Sequence, residues 1–552
     1  MKICGIQARM VAPAALVVVL AATGCGSGDS GGSGGGAATS ERPTIRWGVA
    51  TEGITSMDPV RAVQPTDRTL SMMLFDGLVR YVPGNSTAPF EPGIAKEIPQ
   101  SATEDGKQVW TIPLRPGVKC PAGQKTPAYD LTSDDVVFSL KRAANPDSST
   151  FASVFGAYDK VEAVDAGTVK VTMKHPVSPA AFLPTISNWQ GGLVVCKKAA
   201  EAEGEDFGKR PVGPGPFKFE NWTPGQRVTL KANDDYYLGK PLAAGWEIRF
   251  MADDTARQAA LFGGDLDIAS PTATGDKGLE VIDSRPGFKV VETPLFGTWY
   301  LLFNAKNGPT AKPEVRKALA YAVNRADYVA SAGQRTAKPT LSVWGAQLPG
   351  GIPDAHVQEA GLAYDFDVAK ARQMLADAGY PNGFDVTITT PSNATSSQIL
   401  QAQMKEIGVN VKIKSVDVPT WQTAMMTGQE PLMLTLISYR PTPQIPFTDF
   451  FYGPSYVRGG KSPVQNFGGY DGADDLIEKA SLASDSKEQA QLWQQINDKI
   501  LEDAAAKPLY VSYQAYGAVC GFTMGGVEPM VAIPGNFQPS YQATVDPNAK
   551  DC

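Results

Sequence analysis

Apolar positions recur at helical spacing most clearly in the second half of the chain. Lys312-Pro313 is followed by Val315, Ala318, Leu319, Ala322 and Val323, the stripe of an amphipathic helix with proline in its first turn. Asp367 stands as the cap of a second helix, with Val368, Ala371, Met374, Leu375 and Ala378 on one face. Gly379 ends it and Pro381-Asn382-Gly383 supplies a turn. Phe384–Thr390 then alternates apolar and polar, as a strand with one buried face does. Residues 396–407 read as a helix closed by Gly408, and 409–414 as another strand. A long helix over 487–505 and a buried strand over 509–513 finish the pattern. Helices and strands alternating through short connections predict an α/β layer on a largely parallel or mixed sheet.

The first half is less regular. Ile45, Trp47 and Val49 alternate in a strand over 44–49. Residues 69–81 predict a helix that becomes a strand after Gly77, and 108–114 another strand. Ser133 is expected to cap a helix running to Asn145, with Asp134 and Asp135 in its first turn.

The first forty residues follow other rules. Lys2 and Arg9 precede a ten-residue apolar run, Val11–Leu20, too short for the ~20 residues a membrane helix needs but suited to a signal peptide. Leu20-Ala21-Ala22-Thr23-Gly24-Cys25 resembles the lipobox of bacterial lipoproteins. We therefore expect a leader over 1–24, lipidation at Cys25 and a Gly/Ser-rich tether over 25–42. Within that tether Gly28-Asp29-Ser30-Gly31-Gly32 spells the surround of a serine-protease nucleophile. A flexible tract cannot hold a rigid oxyanion loop, and no histidine precedes Ser30, so the match is accidental.

Composition narrows the function. The 50 basic and 57 acidic residues leave a net charge of −7 with no long run of either sign, which argues against a nucleic-acid partner. Only two histidines occur, His175 and His356, which argues against a histidine metal cage and most histidine-dependent catalysis. We expect no catalytic residues, no metal and no cofactor; a secreted hydrolase would need a nucleophile–base pair that is not found. With Cys4 in the leader and Cys25 lipidated, Cys120, Cys196, Cys520 and Cys552 remain, enough for two disulfides in an exported protein. Three pairings are open, and the local ones, Cys120 with Cys196 and Cys520 with Cys552, are expected. Aromatic residues outside the periodic segments (Trp299, Tyr300, Trp344, Trp421, Tyr439, Phe447, Tyr452 and Tyr456) suit a cleft in which a peptide or sugar lies on apolar faces.

Arg210–Phe219 (RPVGPGPFKF) and Leu230–Lys240 (LKANDDYYLGK) resemble the signature region of family 5 extracellular solute-binding proteins, which serve dipeptide, oligopeptide and nickel ABC importers. Met57-Asp58-Pro59, Leu74–Leu78, Leu131–Val136, Leu261–Ile268, Val315–Ala322 and Asp367–Phe384 resemble it in the same order, over most of the chain beyond residue 43. The resemblance implies a two-lobed periplasmic-binding-protein clamshell of type II with an extra subdomain on lobe I. Lobe I would be 43–88, 210–298 and 508–552, the extra subdomain 89–209 and lobe II 299–507, with crossovers near Phe296–Asn304 and Lys507–Tyr513. It implies ligand contacts at Val63, Gln64, Pro65, Trp299, Tyr300, Trp421, Tyr439 and Arg440. Thr442 falls where relatives carry the aspartate that pairs with a peptide's amino group, and Asp449 is its candidate substitute. The implied partners are a small ligand, peptide first, and the subunits of an ABC permease. An oligosaccharide or metal chelate is the alternative ligand. The protein would be a monomer held to the outer face of the cell membrane by lipid alone.

Overall fold

Val315, Ala318, Leu319, Ala322 and Val323 are all buried, the first three on the helix Pro313–Tyr321 and the last two just beyond it. That helix packs against Val368–Asp377, where the Asp367 carboxylate accepts the Lys370 N–H at 2.9 Å as expected of a cap. The strands Asp385–Pro391 and Asn410–Val416 pair in parallel, Val386 opposite Val411 and Ile388 opposite Ile413. The helix Thr395–Lys405 connects them. These elements share one apolar cluster, which includes Leu319, Leu375, Ile388, Leu400 and Val411.

The computed structural model describes residues 42–82, 90–187, 190–270, 275–348, 350–391, 395–438, 442–457, 465–525, 540–549 and 551–552. Among them the largest sheet has nine strands. From one edge it runs Phe217–Thr223, Arg227–Ala232, Gly245–Phe250, Thr44–Val49, Ile268–Ser270, Ala506–Val519, Phe288–Phe303 and Leu432–Ser438, with Ala337–Pro339 also on Ala506–Val519. Thr44–Val49 is parallel to both its neighbours and the other pairings are antiparallel, so the sheet is mixed rather than largely parallel.

Two long strands dominate it. Phe288–Phe303 and Ala506–Val519 run side by side from Phe288 opposite Val519 to Leu302 opposite Ala506, with a register shift between Pro294 and Thr298. At ~3.3 Å per residue such a ribbon is about 50 Å long. Tyr516 and Ala518 lie in the cluster built on Trp47, Trp246 and Phe217, whereas Leu509 and Tyr510 lie in the cluster of Leu319 and Ile388. At its Leu302–Ala506 end the ribbon borders both clusters: Tyr300, Leu302, Ala506 and Val511 lie in the first, and Leu301, Leu509 and Tyr510 in the second.

A separate antiparallel sheet, Gln100–Glu104, Lys107–Pro113, Thr168–Met173 and Tyr158–Asp165, is covered by the helix Ser133–Ala144. Thr132, not Ser133, caps this helix: its N–H donates to the Asp135 carboxylate at 3.0 Å. Asp135 also accepts the Tyr129 hydroxyl at 2.6 Å and the Lys197 N–H at 2.9 Å. Trp110 stacks on Phe182 beneath, with ring centroids 4.2 Å apart. Cys120 is bonded to Cys196 in this layer and Cys520 to Cys552 at the end of the chain, with Cα–Cα separations of 5.7 and 4.9 Å.

The signature segments converge. Buried Asp76 accepts the hydroxyls of Tyr236 at 2.6 Å and Tyr237 at 2.8 Å, with the Arg80 guanidinium 3.4 Å away. Burial and the Asp76 charge hold both phenols well above their ordinary pKa. Asp58 receives both terminal nitrogens of Arg142, joining the first core to the helix Ser133–Ala144. The Gly215 N–H donates to the Leu74 carbonyl at 3.1 Å, and a Cβ on Gly215 would lie 2.6 Å from that oxygen. Gly215→Ala is therefore expected to cost about 1–3 kcal/mol, as overpacking does. Urea titration measures it; a midpoint equal to that of the unsubstituted chain would refute it.

Candidate functional site

Val63, Gln64 and Pro65 form a contiguous exposed step, Val63 at 40%, leading into the helix Pro65–Leu74. Proline at the first position pre-sets that turn, and the Gln64 side chain makes no capping bond. Below the step Asp67 is fully buried and accepts both the hydroxyl and the N–H of Thr55. Burial raises its pKa, and the bonds from Thr55 oppose the rise.

The long ribbon positions the second group. Trp299 is half-buried and stacks on Tyr510 across the strand pair, with centroids 6.1 Å apart. On its other side it is paired with Leu436, in the edge strand Leu432–Ser438 whose last residue faces Gly297. The chain beyond that strand re-enters the described residues at Thr442. Trp299 and Ser438 are thus brought to one edge of the sheet by strand register. Thr442 is 6% exposed, and its hydroxyl is buried with no hydrogen-bond partner among the described residues. A hydroxyl in that condition costs free energy unless something completes it.

Tyr300 points the other way. It is fully buried, its hydroxyl donates to the Val343 carbonyl, and burial raises its pKa. It is a core residue rather than a free ligand contact. Trp344 and Phe447 are likewise core, so three of the aromatics read as cleft-lining are packed inside. Tyr452 and Tyr456 are half-buried: Tyr452 donates to Glu478 and its pKa is pushed up to about 12, chiefly by burial, while Tyr456 donates to the Gly428 carbonyl at 3.3 Å. Trp421, on the helix Val418–Met425, is half-buried against the first core cluster. Asp449 is half-buried on the helix Gln444–Phe451, and its main-chain carbonyl accepts the Gln465 N–H at 3.2 Å. Tyr439, Arg440 and Cys25 lie outside the described residues.

This set offers aromatic faces, an amide and hydroxyls, which bind by shape and hydrogen bonding. Among the described residues no group of three or more His, Cys, Asp or Glu is placed to hold a metal, and no helix is long and apolar enough to cross a membrane. Sequence reading missed Ser178, Gln444 and Gln489, which join elements far apart in the chain; no local pattern marks them.

Several apolar clusters bordered by a long strand ribbon make up this mixed α/β fold, and solved binding proteins share it. The model of bacterial extracellular solute-binding proteins, family 5, matches residues 89–458, and the chain belongs to that family. The glutathione-binding protein GsiB of Salmonella typhimurium is 31% identical over 323 residues, 57% of this chain and 60% of its own. The chain therefore spans somewhat less than two thirds of that relative's length. MoaA of A. tumefaciens R10, solved with mannopinic acid, is 31% identical with a TM-score of 0.74, over 92% of this chain and 100% of its own. DppA of Helicobacter pylori, solved with the peptide STSA, has the same fold at 22% identity: TM-score 0.73, over 91% of this chain and 98% of its own.

Proposed function

We propose that the chain is the solute-binding component of an ABC importer, capturing a peptide or peptide-like ligand between two lobes and delivering it to a membrane permease. Family membership carries this reading. Lobe I is assigned to 43–88, 210–298 and 508–552, its extra subdomain to 89–209 and lobe II to 299–507. The ribbon Phe288–Phe303 and Ala506–Val519 is assigned as the hinge, since both strands run from one assigned lobe into the other. Val63, Gln64, Pro65, Trp299, Trp421, Tyr439, Arg440, Thr442 and Asp449 are assigned to the cleft. The protein acts as a monomer without chemistry of its own, and lipid on Cys25 tethers it.

Thr442 sharpens the ligand class. A neutral hydroxyl cannot balance a buried ammonium, and charge-assisted bonds are roughly twice as strong as neutral ones. The ligand group seated there is therefore uncharged, as in a blocked or conjugated peptide. A small non-peptide acid is the second reading, favoured by the mannopinic acid complex of the relative 31% identical to this chain. Thermal denaturation with glutathione, free and N-acetylated di- and tripeptides, and mannopinic acid separates them. A true ligand at a hundred times its Kd stabilises by about 2.7 kcal/mol. A rise in Tm with mannopinic acid alone would favour the second reading, and silence across the panel would sink both. Cys25→Ala is expected to release the protein from membranes into the soluble fraction, which cell fractionation measures. Continued membrane retention would overturn the tether.

A further inference from the structure

Ser178–Phe182, beside the four-stranded sheet, touches the helices Gln444–Phe451, Asp474–Leu482 and Ser486–Glu502. The Ser178 N–H donates to the carbonyl of Ser481 at 2.7 Å, and Gln489 Nε2 donates to Ser178 Oγ at 3.3 Å. Ser178 is 1% exposed and Gln489 7%, so both bonds are shielded from water. From behind, the Ala480 carbonyl accepts the same Gln489 amide at 3.1 Å. Ser481 carries a second function: its Oγ accepts Gln444 Nε2 at 2.7 Å and donates to the Ile477 carbonyl at 2.8 Å. Gln444, also buried, accepts the Trp493 Nε1–H at 3.0 Å and donates to Thr448 Oγ1 at 3.1 Å. Gln444 stands two residues after Thr442 and opens the helix Gln444–Phe451.

Every member of this network is neutral. A buried ion pair would pay heavy desolvation each time the surfaces met. Neutral hydrogen bonds carry less of that cost and separate more readily. The half contributed by 444–493 is held together by its own bonds, so among the described residues the hydrogen bonds broken on parting the two surfaces are the pair made by Ser178.

We propose that Ser178, Ser481, Gln489 and Gln444 form a latch between the extra subdomain and lobe II that couples closure of the cleft to the position of the helix Gln444–Phe451, which begins two residues after Thr442. It rests on the two-lobed reading above. Ser178 is the moving part. Ser481 faces both ways, its carbonyl to Ser178 and its hydroxyl to Gln444. Gln444 is a positioning residue: it transmits the state of the rim to the helix that follows Thr442.

Hydrogen–deuterium exchange followed by mass spectrometry tests this on the full chain without ligand. Gln489→Glu turns a donor facing two acceptors into a third acceptor. It is expected to speed exchange at least tenfold in peptides containing Ser178 and in those covering 443–451. Gln489→Leu, similar in volume and without the donor, should act in the same direction if the first variant folds poorly. Ser481→Ala keeps the carbonyl that receives Ser178 and removes only the hydroxyl, so it should speed 443–451 and leave Ser178 unchanged. The strand Thr44–Val49 serves as the control for intact folding in each. An unprotected Ser178 amide in the unsubstituted protein would overturn the latch. Protection at 443–451 that ignores all three substitutions would overturn the coupling. Neither result depends on a ligand, so failure here is distinguishable from failure of the importer reading.

Discussion

Replacing Cys120 and Cys196 together by alanine is expected to destabilise the four-stranded layer by about 4 kcal/mol. The two half-cystines are separated by 76 residues and both are fully buried. In the chain-entropy account, loops of about 15 and 100 residues correspond to roughly 3 and 4.7 kcal/mol, and this loop falls between them. The cavity left by two sulfurs adds to the loss. Because the layer has its own apolar cluster, the effect should appear as early unfolding of that region, not as uniform loss. Limited proteolysis along a urea series reads it out, with cleavage in 89–209 preceding cleavage elsewhere. Cleavage in the same order and at the same urea as in the unsubstituted chain would refute it.

The second large effect is a pH dependence seated on the long ribbon. Lys507 is fully buried on the ribbon, where its ammonium donates to the carbonyls of Ala363 and Tyr364 and lies 5.8 Å from the Tyr364 ring centroid. Beside it the Arg325 guanidinium donates to the carbonyls of Pro508 and Ala363, each at 2.8 Å, and burial pushes its pKa down to about 10. Burial first, and the charge of Arg325 second, hold Lys507 well below its ordinary value. The unfolded chain restores the ordinary lysine pKa. Between the two values the unfolded state binds the proton that the folded state has released, so stability rises with pH there. The slope approaches 1.4 kcal/mol per pH unit at most. Tyr300 and Tyr328, whose pKa values are raised, oppose this only near and above pH 10. Urea midpoints taken between pH 7 and 9.5 are expected to climb in the unsubstituted protein and flatten in Lys507→Met. Equal slopes in both would show that Lys507 stays charged in its carbonyl cage.

Much of the region 313–416 was legible in advance. The stripes at 315–323 and 368–378 and the strands near 385–391 and 410–416 follow from residue spacing, which burial on one face imposes. The ribbon was underestimated. Residues 509–513 marked only part of a strand that runs Ala506–Val519, because a strand buried on both faces loses its alternation. The site was legible in part. Trp421 and Thr442 could be singled out by resemblance, but Tyr300, Trp344 and Phe447 carry no local sign that they point into a core.

By itself the sequence determined what residue type and short-range spacing control: the amphipathic helices, the Asp367 cap, the scarcity of histidine and the Gly/Ser-rich composition before residue 43. It also located the segments that resemble family 5. Which of those segments touch was decided only in three dimensions. Asp76 meets Tyr236 and Tyr237 some 160 residues on, and Gln489 meets Ser178 across 311. A glutamine in the first turn of a helix reads the same whether it faces water or a partner. Its meaning comes from burial, because only a group removed from water must find its hydrogen bond inside the protein.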